Sequence, residues 1–237
     1  ILGFKDYFGK TEYNNENDFD GIWAIWDEPF LQYFAKNVGK SNKPFMATVF
    51  TASSHHPFKI PAQYEGKFKK GFVEMHEPIQ YADYALKKYF ETARKQPWYE
   101  NTIFVITGDH TNKIYYPEYA KAMNGYAVPI IFYSPNPKYN LKGKNMTYAQ
   151  QIDIYPTLAD IIGYNKPLRS WGRSLVSDKN EEYIVVNSDA IQEQFMIGNY
   201  IYRFDGKNIT GVYEITDLEL KNNLLGKINN AEIERGK

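Results

Sequence analysis

Apolar residues fall at helical spacing over residues 77–95, at Ile79, Ala82, Tyr84, Ala85, Leu86, Tyr89, Phe90 and Ala93. This period predicts an amphipathic helix that ends before Pro97. A second helix start is read at Asp27-Glu28-Pro29, ahead of Phe30, Leu31, Tyr33 and Phe34, with Asp27 as its candidate cap. Other apolar positions come as short unbroken runs: Phe45-Met46-Ala47-Thr48-Val49-Phe50-Thr51, Thr102-Ile103-Phe104-Val105-Ile106-Thr107, and Ala127-Val128-Pro129-Ile130-Ile131-Phe132-Tyr133. Runs of this kind suit strands covered on both faces, as in a parallel sheet. Residues 151–163 predict one more short helix, stopped by Gly163. The succession reads as an α/β layer fold with a mostly parallel sheet flanked by helices.

After Ser170 the pattern changes. Short strands around Tyr183–Val186, Gln194–Ile197, Tyr200–Phe204 and Val212–Ile215 are separated by Gly- and Asn-bearing turns, with a hairpin expected at Gly198-Asn199. The expected organisation is therefore an α/β part over residues 1–170 and a small antiparallel β subdomain over 171–237, packed on it.

Composition narrows the function classes. Lys plus Arg and Asp plus Glu both number 28, so no global charge favours nucleic acid or an anionic membrane surface. The absence of cysteine excludes disulfides, thiolate metal sites and a Cys nucleophile within the chain. No stretch approaches the roughly 20 apolar residues that span a bilayer. The opening Ile1-Leu2-Gly3-Phe4-Lys5-Asp6 has neither Met nor a basic leader, so the chain reads as a fragment of a longer protein. Aromatic content is high, with 21 Tyr, which admits a carbohydrate-facing surface as well as an aromatic core.

The sharpest chemical feature is Gly108-Asp109-His110, where an apolar run meets a loop. In open α/β sheets ligands sit at the carboxyl edge of the strands. One carboxylate oxygen and one imidazole nitrogen suit Zn2+, Mn2+ or a similar divalent ion. The tripeptide by itself is better explained by a turn Asp and a packed His. A second feature is His55-His56 in the loop after the first apolar run. If the two runs are parallel neighbours, His55 or His56 shares an edge with Asp109 and His110, and can bond a phosphate or sulfate oxygen or protonate a leaving group. His56 reads as packed near Pro57-Phe58, and His76 as an ordinary surface residue.

The ordered set Ser54-His55-His56-Pro57-Phe58, then Asn101-Thr102-Ile103-Phe104-Val105-Ile106-Thr107-Gly108-Asp109-His110, then Gln151-Ile152-Asp153-Ile154-Tyr155-Pro156-Thr157-Leu158 resembles the sulfatase-related branch of the alkaline phosphatase superfamily. Within it the nearest likeness is to the lipoteichoic acid synthase and phosphoglycerol transferase group. Trp171-Gly172-Arg173-Ser174-Leu175, Tyr213-Glu214-Ile215-Thr216-Asp217-Leu218 and Asn222-Asn223-Leu224 are similar to segments that close such chains.

The resemblance implies an alkaline phosphatase/sulfatase-like fold and makes Asp109 and His110 ligands of one divalent cation, Mn2+, Mg2+ or Ca2+. It makes His55 the contact for the substrate head group, with Asp153 a local anchor and Gly172-Arg173 a turn and a packing arginine. No His follows His110, which disfavours a two-metal site. The family's nucleophile and a further acidic ligand are expected upstream of Ile1. Thr48, Thr51, Ser53 and Ser54 are not assigned that role, and the fragment alone is expected to be inactive. The implied activity is a metal-dependent phospho- or sulfo-ester enzyme outside the cytoplasm, a phosphoglycerol transferase in preference to a sulfatase. Its substrate would be an anionic ester with a lipid or glycan head group, without nucleic acid, and an upstream segment with membrane helices would anchor it in the cell envelope. The alternative is a non-catalytic glycan-binding or scaffold domain of the same fold.

Overall fold

The computed structural model describes residues 3–120, 126–177, 184–188, 193–215 and 225–227. The chain divides into two compact units, Ile1–Thr102 and Ile103–Lys237.

The first unit is helical, with a short α1 (Lys10–Tyr13), α2 (Asp27–Val38) and α3 (His76–Ala93). The predicted helix over 77–95 is thus present within two residues at either end. Its buried positions Tyr81, Ala85, Tyr89 and Ala93 recur every four residues and so share one face. This face packs on α2, whose buried apolar residues are Leu31 and Ala35. The alanines let the helix backbones approach, and the tyrosines fill the space between them, Tyr89 stacking on Phe34 at 5.9 Å. Polar ties cross the interface, from Thr92 Oγ1 to Gln32 Oε1 at 2.6 Å and from the Glu28 N–H to the Tyr81 hydroxyl at 3.2 Å.

Two expectations fail in this unit. Asp27 does not cap α2: it is the first helical residue, Trp26 holds the cap position, and the Asp27 carboxylate turns to the loop at residues 52–53. The run Phe45–Thr51 forms no strand. A β-rich sequence becomes a strand only when another backbone pairs with it, and among the described residues none does. Met46 and Phe50 accordingly stay more than 70% exposed (74% and 71%).

The second unit begins with β1 (Phe104–Thr107), which pairs with β2 (Ile130–Tyr133) from Phe104↔Tyr133 to Thr107↔Ile130. The ladder is antiparallel, where a parallel neighbour was expected. A parallel pair needs a crossover, usually helical. Between these strands the described residues hold only the 3-10 turn Pro117–Ala120. The helix predicted at 151–163 is present as a 3-10 turn, Gln151–Asp153, running into α4 (Ile154–Ile161).

A five-stranded sheet follows in the order β3 (Ile184–Ser188), β4 (Glu193–Ile197), β5 (Tyr200–Phe204), β6 (Ile209–Ile215) and β7 (Leu225–Lys227), antiparallel throughout. The Gly198-Asn199 hairpin forms as expected: Ile197 pairs with Tyr200, and Gly198 takes φ +56°. Met196, Ile201 and Val212 are its buried apolar side chains among the described residues, joined by the buried Gln194. The closing motif residues Thr216, Asp217, Leu218 and Asn222-Asn223-Leu224 lie outside the described residues.

Candidate metal centre and head-group loop

β1 delivers Gly108-Asp109-His110 to an exposed turn. Asp109 Oδ1 accepts the His110 backbone N–H at 2.8 Å, and this bond fixes the carboxylate against the following residue. His110 Nδ1 lies 2.7 Å from the Thr111 carbonyl oxygen. A carbonyl can only accept, so Nδ1 is the donor, and the neutral form of the ring has its lone pair on Nε2. Nε2 in turn stands 3.4 Å from Asp109 Oδ2, and both side chains are about half exposed. A lone pair facing a carboxylate oxygen is repulsive until a proton or a cation lies between them.

The donor set fits a divalent ion. Two ligands each about 2.1 Å from one ion, at a near-tetrahedral angle, lie roughly 3.4 Å apart. A ligating His also commonly donates its other ring N–H to a backbone carbonyl, as His110 does to Thr111. Among the described residues no group of three or more His, Asp or Glu side chains converges, so this turn offers two ligands.

The turn is held from behind by the segment 151–157. Gln151 Nε2 donates to the carbonyls of Gly108 and Asp109, each at 3.2 Å. Asp153, buried, accepts the Gln150 N–H at 2.8 Å and the Arg173 N–H at 3.0 Å. Thr157 Oγ1 donates to the Asp153 carbonyl at 2.6 Å and accepts the Leu175 N–H at 3.0 Å. Gly172 is required for this approach: a Cβ there would sit 2.2 Å from the Ile152 carbonyl oxygen. Arg173 donates to the Tyr148 carbonyl at 2.9 Å, a packing contact.

His55 belongs to the first unit. Its loop is clasped at the base by Asp27, whose Oδ1 accepts the Ala52 and Ser53 N–H groups at 3.1 and 2.9 Å while its own N–H donates to Ser53 Oγ at 2.9 Å. Burial pushes the Asp27 carboxyl above the usual carboxylate range, against the opposing effect of the Ser53 and Ala52 bonds. From this clasp the chain turns back, His55 N–H donating to the Ala52 carbonyl at 3.0 Å. Phe58 takes φ +60°, a left-handed conformation uncommon for so bulky a residue. His55 Nδ1 donates to the His56 carbonyl at 2.9 Å, so its ring, like that of His110, is free to present Nε2. The Trp23 indole and the His55 imidazole meet at 4.9 Å between centroids with their planes 65° apart. A shallow, solvent-open depression lies here, lined by Asp20, Trp26, Ser53, His55, Pro57 and Lys59, with an enclosed volume of only about 10 Å³.

The family model described as Sulfatase matches residues 1–164, more than half of the chain. The chain belongs to the sulfatase family. Among relatives, lipoteichoic acid synthase 1 of Bacillus subtilis (strain 168) is 23% identical over 222 residues, covering 85% of this chain and 34% of that protein. Lipoteichoic acid synthase of Staphylococcus aureus (strain USA300) is 25% identical over 215 residues, covering 84% and 33%. The chain therefore spans about a third of the length of these curated relatives. A crystal structure of a protein in the alkaline phosphatase superfamily from Vibrio parahaemolyticus superposes with a TM-score of 0.76 at 23% identity, covering 95% of this chain and 55% of that one. This likeness bears out the alkaline phosphatase/sulfatase-like α/β fold with its small antiparallel C-terminal sheet.

Within this sulfatase-family chain, the structure brings Asp109 and His110 together and places His55 at a shallow depression of its own unit. His56 is exposed, its ring and that of Phe58 lying 5.7 Å apart in a T-shaped pair. His76 is half-buried at the start of α3 rather than on open surface. Three contributors carry no sequence signal of their own. Gln151 reads as an ordinary helix-start residue, Asp27 as a cap, and Trp23 as one more aromatic in an aromatic-rich chain.

Proposed function

We propose that this chain contributes part of a metal-dependent phospho- or sulfo-ester enzyme, a phosphoglycerol transferase of the lipoteichoic acid synthase kind in preference to a sulfatase. Asp109 and His110 supply two ligands of one divalent cation, and His55 contacts the head group of an anionic ester. The observation that carries this reading is the 3.4 Å approach of His110 Nε2 to Asp109 Oδ2 with Nδ1 tied to the Thr111 carbonyl. When bound, the ion would offset charge on the ester oxygens and lower the pKa of an attacking hydroxyl. His110 holds its proton at Nδ1 and so keeps Nε2 as a donor atom. Gln151 keeps the turn from opening. His55, with Nδ1 already engaged, meets the ester oxygens or the leaving oxygen through Nε2.

The covalent nucleophile belongs to residues outside this chain, and none of its own Ser or Thr residues is given the role; Ser53 Oγ is engaged by the Asp27 N–H. The likeness to lipoteichoic acid synthases supports an activity of that kind, and we take a glycerophosphate-bearing lipid as the substrate and an extracytoplasmic setting. Among the described residues no helix is long and apolar enough to cross a membrane. The family match ends at residue 164, which supports a boundary near 170 between the sulfatase-like part and the small β subdomain.

Metal content of the full-length protein after dialysis tests the reading. One divalent ion per chain is expected, lost in Asp109→Asn and His110→Ala. Stoichiometric metal retained in His110→Ala overturns the assignment. No metal in the wild type puts the non-catalytic glycan-binding reading first.

A further inference from the structure

The C-terminal half of α4 and the chain that returns beside it form an open groove of about 210 Å³, whose lining includes Pro156, Ala159, Asp160, Tyr164, Leu168 and Ser174. Its walls are tied to the helix. Gly163 turns the chain at φ +79°, and Tyr164 N–H then donates to the Ala159 carbonyl at 2.9 Å. The segment at 174–175 is held as well: Leu175 N–H donates to Thr157 Oγ1 at 3.0 Å, and Ser174 Oγ donates to Asp160 Oδ2 at 2.6 Å. The groove is therefore preformed, and a ligand entering it has little to order. Among the described residues Asp160 Oδ1 accepts no hydrogen bond, and no basic side chain pairs with the carboxylate. Tyr164 keeps 48% of its surface open, with Pro156, Ala159 and Leu168 as the apolar lining.

We propose that this groove binds one pyranose ring of a neutral glycan, the C–H face of the sugar on the Tyr164 ring and its hydroxyls donating to Asp160. A carboxylate without a cationic partner repels phosphate and sulfate, but it accepts hydroxyl hydrogens in charge-assisted bonds. A sugar ring has an apolar C–H face and a rim of hydroxyls, which matches an aromatic wall beside an acceptor. The volume lies below the roughly 300–1,000 Å³ of sites that enclose drug-sized ligands, and so suits a single ring whose chain continues into solvent. Asp160 lies about two and a half helical turns beyond Gln151, which braces the Asp109 turn. The groove is thus a site apart from the proposed metal centre and does not depend on it. The carbohydrate-facing surface that a tyrosine-rich composition admits is thereby placed at α4.

The test is saturation-transfer NMR of the full-length protein titrated with methyl glucoside and with N-acetylglucosamine, each in competition with ethanolamine and with inorganic phosphate. At least one sugar should bind, with transfer strongest to its ring C–H protons, and neither competitor should displace it. Tyr164→Ala should weaken the sugar about fivefold, while Tyr164→Phe stays within about twofold, which separates loss of the ring from misfolding. Asp160→Asn can still accept from Ser174 and should weaken the sugar about fivefold through loss of the charged acceptor. Phe72→Ala, at an aromatic side chain 80% exposed in the first unit, should change nothing. A wild type that binds neither sugar, or binding unchanged in Tyr164→Ala, overturns the proposal. An equal loss in Phe72→Ala overturns it too, because any exposed ring would then serve. Displacement by ethanolamine or phosphate shows an ion site and overturns it as well. Where the sugar binds as expected, tighter binding of octyl glucoside than of methyl glucoside points to a glycolipid as its source, and tighter binding of maltotriose to a polysaccharide.

Discussion

Removing the Asp27 side chain should loosen the His55 loop by an amount that follows from its hydrogen bonds. The residue is 2% exposed, and its Oδ1 is the acceptor for two backbone donors, Ala52 N–H and Ser53 N–H. Asp27→Ala leaves both without that acceptor. A buried donor left unsatisfied costs about 1–3 kcal/mol. The Ser53 donor is buried and the Ala52 donor only partly so, so water recovers some of the second, giving a loss of about 2–4 kcal/mol. Asp27→Asn differs because an amide oxygen can accept the same two bonds without burying a charge.

The pH dependence gives the sign. Burial raises the folded-state pKa of Asp27 above its unfolded value, near 3.9. Its contribution is therefore fully present below that pH and is lost as pH rises through the folded value. Asn suffers no such loss, so Asp27→Asn should gain on the wild type across that window and hold the gain at pH 7. Urea unfolding followed by tryptophan fluorescence, in acid and at neutral pH, measures both variants. An Asp27→Ala loss under about 0.5 kcal/mol would refute the clasp. Asp27→Asn as damaging as Asp27→Ala at pH 7 would show that the charge itself holds the loop.

Two further outcomes are expected. Gln151→Ala, which touches neither proposed ligand's side chain, should weaken divalent-metal binding by the full-length protein about tenfold by freeing the Gly108 and Asp109 carbonyls; competition against a fluorescent chelator reads this, and unchanged affinity removes Gln151 from the site. Burial pushes the Tyr89 hydroxyl up to about 12, and burial first, then neighbouring carboxylates, raises Tyr13 and Tyr64, while Tyr81 is raised chiefly by burial. Their stabilising contribution is whole below the unfolded tyrosine value near 10 and fades as pH climbs toward the folded values. Alkaline unfolding by circular dichroism should thus coincide with late tyrosinate absorbance, and tyrosinate rising smoothly in the intact fold would contradict it.

The two long helices were legible because their apolar period is a local property: Tyr81, Ala85, Tyr89 and Ala93 share a face wherever the helix packs. The Gly198-Asn199 hairpin and the Gly163 stop were legible for the same reason, since turn chemistry acts over two to four residues. Asp109 and His110 were legible as neighbours, and the order of motifs pointed to the sulfatase family. Tertiary structure alone decided what depends on a partner far along the chain. Phe45–Thr51 has strand composition but no backbone beside it among the described residues. β2 runs antiparallel to β1, which side-chain pattern does not encode. Asp27 looks like a helix cap until Ser53, twenty-six residues away, takes its bonds, and Gln151 becomes a brace only because folding brings it to the Gly108 carbonyl, forty-three residues away. Side-chain periodicity records which face is buried. The hydrogen-bond partner that completes a site is set by chain closure over long distances, and a one-dimensional pattern carries no term for it.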